Sequence, residues 1–206
     1  MENKIESKIL DLFLYNNSLK FNEIEKSLKI HSNKLSYHLK NLIKKNILEK
    51  QNQTYSVSED SEYLIPYLSN KKAILPVVLI CIGNKSSCFL YQRTKRPYKN
   101  KLSLPGGRIL IGESIKKAVL RIMKEKFNIN TNFKKINSIS IEHIKKPKSN
   151  KIIHSFLLIF VSAVTKNKIQ LTNPNKNRSK IISSDYKLIK DNLNKKIKIN
   201  IIYSKL

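Results

Sequence analysis

The stretch LSLPGGRILIGESIKKAVLRIMKEKFNI, residues 102–129, constrains the fold more than any other in the chain. It sets a glycine pair, Gly106–Gly107, ahead of a helical run at 114–127, with Glu113, Arg121 and Glu125 at fixed intervals. Adjacent glycines let the backbone approach a neighbour that a Cβ would hold off. Around this segment the apolar pattern is that of strands: ILPVVLICIG and SSCFLYQR before it, INSISIEHI and IIHSFLLIFVSAV after it. A later helix is expected at 184–193, after a polar loop. Strands flanked by a helix on each side predict an α/β/α sandwich over residues 75–206.

Residues 1–68 follow another pattern. Ile5, Ile9, Leu12 and Phe13 sit at helical spacing over 3–15, and Asn16–Asn17 ends the run. A second helix over 22–29 would bury Ile24 and Leu28. Ser32 is positioned to cap a third, with Leu35, Leu39, Leu42 and Ile43 facing inward. ILEKQNQTYSVS then alternates about Gln51–Asn52–Gln53, which predicts a small hairpin. Ser58 would cap a last helix carrying Tyr63, Leu64 and Tyr67. The fold class expected is therefore α+β in two domains, 1–68 and 75–206, joined at 69–74 between Pro66 and Pro76.

The first domain resembles the winged helix-turn-helix domains of prokaryotic transcription regulators. The match runs through FNEIEKSLKI, HSNKLSYHLKNLIKKNILEK and TYSVSEDSEYLIPYL, and Asn46 stands where many members have glycine. The resemblance implies double-stranded DNA as partner. Asn33, Lys34, Ser36, Tyr37, Lys40 and Lys44 would then face the groove, since recognition helices set short polar side chains on base edges and lysines on phosphates. No acid falls between residues 31 and 45. His31 and His38, seven apart with no cysteine or acid beside them, are expected as one surface and one packing residue.

The second domain resembles the Nudix hydrolases, whose motif reads G-x5-E-x7-R-E-U-x-E-E-x-G-U with U aliphatic. Gly107, Glu113, Arg121, Met123, Glu125 and Ile129 fall at the matching places, as do the preceding Leu-Pro-Gly-Gly and Ala118. Three positions depart within the box at 107–129: Ile122 and Lys126 replace glutamates, and Asn128 replaces the closing glycine. In the family those glutamates hold divalent cations or act as base when a nucleoside diphosphate linked to another group is cleaved. A diphosphate needs Mg²⁺ to neutralise its charge and activate water, and Mg²⁺ takes near-octahedral oxygen ligation. Positions 122, 125 and 126 meet on a helix face. Three carboxylates there make a cradle for the cation, whereas one carboxylate, an isoleucine and an ammonium do not.

Glu113, Arg121 and Glu125 therefore read as vestigial catalytic residues, with Glu113 pairing Arg121 to hold the loop. Glu125 is the remaining candidate metal ligand, with the Gly107 carbonyl and Glu142 as its conceivable companions. No cofactor is required on this reading, and Mg²⁺ enters only if hydrolysis survives. Lys126 instead supplies positive charge to a diphosphate without cleaving it. Arg93, Arg96 and Arg108 flank the same loop, and the backbone at Gly106 and Gly107 can approach an anion. A nucleotide-type small molecule is the expected ligand.

Charge refines the choice of partners. The chain holds 41 basic against 14 acidic residues, a formal charge of +27. Residues 1–68 carry 10 lysines against 9 acids, and residues 69–206 carry 31 basic residues against 5 acids. A field of that size attracts polyanions. Only five of the basic residues are arginine, and lysine, isoleucine and asparagine dominate; an AT-rich genome produces such a bias without selection for a partner. No apolar run reaches a membrane span, the N-terminus has no signal-peptide pattern, and the two cysteines lack a Cys-x-x-Cys pair, so a reducing cytoplasm and no membrane are expected. The combined expectation is a homodimeric, cytoplasmic DNA-binding regulator whose second domain senses a nucleotide. The alternatives are a Nudix pyrophosphohydrolase with an accessory DNA-binding domain, and a basic protein associated with nucleic acid through its second half.

Overall fold

Helical periodicity and strand alternation sort the chain into two sets of elements. In the computed structural model, residues 4–67, 73–146 and 149–202 are described. Contacts divide the chain into two units, Met1–Ala73 and Ile74–Leu206. Most of the joining segment expected at 69–74 lies outside the described residues.

The first unit runs α1 (Lys4–Leu12), β1 (Ser18–Lys20), α2 (Phe21–Leu28), α3 (Ser32–Lys44), β2 (Leu48–Gln51), β3 (Thr54–Val57) and a 3₁₀ segment at Glu59–Tyr67. Its core joins Ile9, Phe13, Ile24, Leu35, Leu39, Leu42, Leu48 and Tyr55. The strands form one antiparallel sheet in the order β1-β3-β2. Asparagine supplies two of the turns: Asn46 (φ 56°) passes the chain from α3 to β2, and Asn52 (φ 55°) tops the hairpin. Asparagine enters this left-handed region more readily than most side chains.

Several local expectations need correction here. Helix α1 stops at Leu12, because the next three amides reach back only three residues, to Leu10, Asp11 and Leu12. Strand β1 is an addition to the expected elements, three residues of mixed polarity too short to show a period. Ser32 is the first residue of α3 and not its cap; its hydroxyl donates to Glu25. Ser58 Oγ donates to the Asn46 carbonyl at 2.6 Å instead of capping a helix, and Ser61 Oγ joins it at 2.9 Å. Ile43 is 36% exposed. At about 100° per residue it lies about 80° round the helix from Leu35, at the margin of the buried stripe. His38 fills that stripe, buried, with Nδ1 3.7 Å from Glu6. Tyr63 is exposed, and the side chains of Leu64 and Tyr67 lie outside those described.

The second unit is built on β4 (Leu75–Ile82), β7 (Gly106–Arg108), β8 (Asn132–Lys145) and β9 (Ile152–Val164), in the order β7-β4-β9-β8. Strand β4 runs parallel to β9 and antiparallel to β7, while β8 and β9 are antiparallel. A two-residue ladder, β5 (Tyr91–Gln92) with β6 (Leu102–Ser103), stands apart from this sheet. Alternation along β4 sends Val78, Ile80 and Ile82 to one face and Leu79 and Cys81 to the other. Helix α4 (Ile115–Phe127) covers the first face through Ala118, Val119, Ile122 and Met123. Helix α5 (Ser183–Asn192) covers the second through Leu188 and Ile189. These layers form an α/β/α sandwich.

The segment SSCFLYQR contributes less strand than expected, only β5 and an isolated bridge of Cys88 to Gly83 and Thr172. Cys81 and Cys88 are free, buried thiols on the α5 side of the sheet, joined through the turn at 84–87. The Cys88 contact, together with burial, pushes the Cys81 thiol far above the usual range, so it stays protonated. Among the described residues no helix is long and apolar enough to cross a membrane.

Candidate ligand site at the Gly106–Lys126 corner

The site begins with two missing side chains. Strand β7 lies against β4, with Gly107 opposite Val78 and Gly106 opposite Leu79. A Cβ on Gly106 would come within 2.7 Å of the Val78 carbonyl oxygen. One on Gly107 would meet Ile122 Cδ1 and Cγ1 at 3.0 Å and Lys126 Nζ at 3.3 Å. Glycine at both places therefore lets β7 fit between β4 and α4.

A bidentate pair holds the loop that follows. Arg121 Nε donates to Glu113 Oε1 at 2.7 Å and Arg121 Nη2 to Glu113 Oε2 at 2.8 Å. The same guanidinium donates to the Arg108 carbonyl at 3.0 Å, and the Leu110 amide donates to Glu113 at 3.0 Å. The loop's two ends are thus tied to one side chain from α4. Arg121 holds the Glu113 carboxyl below the usual range. Ser114 caps α4 by accepting from the Lys117 amide at 3.2 Å, and Asn128 ends it at φ 53°, the left-handed conformation the family's glycine would supply.

The three helix positions 122, 125 and 126 go separate ways. Ile122 is fully buried beneath Gly107 in the core on the α4 side. Lys126, one turn later, donates its ammonium to the Gly106 carbonyl at 2.5 Å. Glu125, with its side chain 60% exposed, lies 3.4 Å from Arg121 Nη1. The face expected to carry positions 122, 125 and 126 together is thus split between core, backbone and solvent.

This arrangement does not fit Mg²⁺. Ile122 offers no donor atom, Lys126 sets a cation on a backbone oxygen, and Glu125 is shared with Arg121. Glu142, the expected companion of Glu125, accepts from Tyr98 Oη at 3.2 Å instead. Among the described residues no group of three or more His, Cys, Asp or Glu side chains could hold a metal ion.

Other cations surround Lys126. Burial first, then Arg93, Lys95 and Arg121, pull its pKa below the usual lysine value, against the opposing pull of Glu125. Arg93 comes from the loop after β5 and braces that loop, its Nε donating to the Pro97 carbonyl at 3.1 Å. Arg96 and Arg108 are exposed, Arg108 engaging Arg121 through its carbonyl only. Lys95 is an addition to the residues expected here; its exposed place in a run of mixed residues gave no signal.

Two further titratable groups, Tyr98 and Asp185, lie near this corner in the same unit. Tyr98, at φ 66°, has its phenol pushed up to about 12 by burial and by Glu142. Asp185, buried at the start of α5, accepts from Ser103 Oγ at 2.9 Å and from the Leu104 amide at 2.8 Å. Burial raises its pKa to about 6. Tyr98 also lines a cavity of about 540 Å³ with Lys101, Arg178, Ile181 and Tyr186. A buried aspartate 82 and 81 residues beyond its partners leaves no local pattern to read.

In the first unit, Asn33, Lys34, Tyr37, Lys40 and Lys44 are exposed on α3, and Ser36 is half-buried. At 100° per residue, Asn33, Tyr37, Lys40 and Lys44 fall within roughly 60° of one another, opposite the buried stripe. Lys45 is drawn away from that face by Glu6, 2.6 Å from its ammonium.

The NUDIX domain model matches residues 74–183, more than half of the chain. No curated protein matches. Among solved structures, the MutT protein of Methanosarcina mazei Go1 is 18% identical, covering 59% of this chain and 94% of its own, with a TM-score of 0.48. The Nudix domain of Shewanella oneidensis NrtR complexed with ADP ribose is 17% identical over 61% of this chain and 93% of its own, with a TM-score of 0.43. The structure of Shewanella oneidensis NrtR is 15% identical over 56% of this chain and 60% of its own, also with a TM-score of 0.43. The match over 74–183, falling on the sandwich and the glycine-loop-helix segment just described, makes the chain a member of the Nudix family.

Proposed function

We propose that the protein is a transcription regulator in which the first unit, a winged helix-turn-helix, binds double-stranded DNA and the Nudix domain senses a nucleotide or nucleoside-diphosphate derivative without cleaving it. One observation carries the reading: the Lys126 ammonium sits on the Gly106 carbonyl at 2.5 Å while Ile122 is buried under Gly107. Hydrolysis needs a metal to activate water, and these side chains offer it one shared carboxylate. The exposed stripe Asn33, Tyr37, Lys40 and Lys44 supports DNA reading, since a helix with polar and lysine side chains and no acid suits a major groove. The reading includes a homodimer in the cytoplasm, where Cys81 and Cys88 remain thiols.

The family itself favours a second reading, a Nudix hydrolase with an accessory DNA-binding unit, and the brace of Glu113 and Arg121 is intact for it. Activity separates the two. Purified protein is expected to show no Mg²⁺- or Mn²⁺-dependent hydrolysis of ADP-ribose, NADH or nucleoside triphosphates above background. Turnover that disappears in Glu125→Gln would establish the hydrolase instead.

A further inference from the structure

We propose that the Nudix site binds a diphosphate without any divalent cation, the Lys126 ammonium acting as a built-in replacement for the metal. The inference rests on the nucleotide-sensing reading and specifies the charge state of its ligand. Lys126 Nζ spends one donor on the Gly106 carbonyl at 2.5 Å. An ammonium has three donors, so two remain for an anion. The tether also fixes the ammonium in place: Lys126 Nζ stands beside Gly107, 3.3 Å from where a Cβ on that glycine would be. A flexible lysine is thereby held as a positioned one, which lowers the ordering cost of binding.

Charge balance points the same way. Arg93 and Lys95 act electrostatically on Lys126, and Arg121 adds to them. Arg121 is compensated by Glu113 at 2.7 Å and reaches Glu125 at 3.4 Å. Glu125 acts on Lys126 and the buried Asp185 on Arg93, so the three cations Lys126, Arg93 and Lys95 stand against these two carboxylates and keep a net positive charge for a diphosphate. A hydrolase of this fold with three carboxylates would repel the free anion and accept it through a metal. Here the sign is reversed, so Mg²⁺ is repelled, and Mg²⁺ held on the ligand removes the charge that Lys126 would meet.

The test is calorimetric titration of the full chain with ADP and with inorganic pyrophosphate, in EDTA and in excess Mg²⁺. Binding in EDTA is expected at least as tight as in Mg²⁺. Lys126→Met is expected to weaken ADP binding in EDTA on the order of ten- to hundred-fold, the range of one charge-assisted hydrogen bond. Lys126→Arg should keep most of the affinity. Binding seen only with Mg²⁺ overturns the inference and leaves a metal-assisted sensor standing. Absence of binding under both conditions removes the inference and the sensing reading together. Unchanged affinity in a folded Lys126→Met, checked by thermal melting, also overturns it, because the cation would then come from elsewhere.

Discussion

Glu113 shows how a residue can remain in a catalytic motif for a mechanical reason. Its carboxylate takes two bonds from Arg121 and one from the Leu110 amide, and its side chain is only 11% exposed. Hydrogen bonds to charged groups contribute about 1.5–3 kcal/mol each, less where solvent screens them. Glu113→Ala is therefore expected to destabilise the Nudix unit by about 2 kcal/mol, read as a lower urea midpoint. Glu113→Gln, which still accepts from Arg121, should lose less. An unchanged midpoint in Glu113→Ala would mean the brace is decorative. The spacing of Glu113 and Arg121 makes this pair legible in the sequence, because both residues belong to one short loop and helix. The fate of Ile122 was half legible: its lack of a donor atom is plain in sequence, while its burial under Gly107 depends on how closely β7 approaches α4. The Lys126 bond to Gly106 spans twenty residues and follows from that approach alone.

At the scale of elements, long apolar runs were the easiest to read. Strands β4 and β9 and helix α4 carry enough apolar periodicity to announce themselves, and their bounds moved little. The short elements were not readable. Strand β1 has three residues, and β5 and β6 two each, all defined by their partners and not by composition. The same holds for the contact between α5 and the start of the glycine loop, where Asp185 accepts from Ser103 across 82 residues and from Leu104 across 81. That contact makes a pH prediction. Burial raises Asp185 to about 6 from an ordinary value of 3.8. Between these values the folded chain holds a proton that the unfolded chain has released. Stability from this group is therefore full below the lower value, falls as pH rises through the window and levels off above about 6, a change of about 3 kcal/mol. Asp185→Asn should flatten that slope relative to the parent in urea titrations at about pH 4 and about pH 6.5. Asp185→Ala should lower stability at both, since it leaves the Leu104 amide without its acceptor. Identical slopes in the parent and in Asp185→Asn would mean the carboxyl titrates as if exposed.

For the whole molecule, the uneven charge of the two halves sets what a DNA-binding reading must explain. Residues 69–206 hold 31 basic residues against 5 acids, so salt-sensitive attraction to any polyanion is expected there, with or without a base-reading element. Specificity must then come from the near-neutral first unit, whose 10 lysines and 9 acids leave little excess charge. Lys40→Ala should accordingly weaken binding to all sequences and reduce the salt slope by about 1, while Tyr37→Ala should alter base preference. A regulator also requires a ligand whose affinity differs between DNA-competent and DNA-incompetent states, because equal affinity shifts nothing. On the homodimer reading the operator is an inverted repeat, its half-sites about one helical turn apart. By linkage, if a nucleoside diphosphate changes operator affinity by some factor, the operator changes nucleotide affinity by the same factor. Calorimetric titration of ADP into the full chain, alone and saturated with operator DNA, measures it directly. Different dissociation constants are expected, and replacing Lys126 should shrink the difference while leaving the Lys40 effect on DNA intact. Equal constants in the two titrations would reduce the Nudix unit to a scaffold and end the case for sensing, whatever the first unit does on DNA.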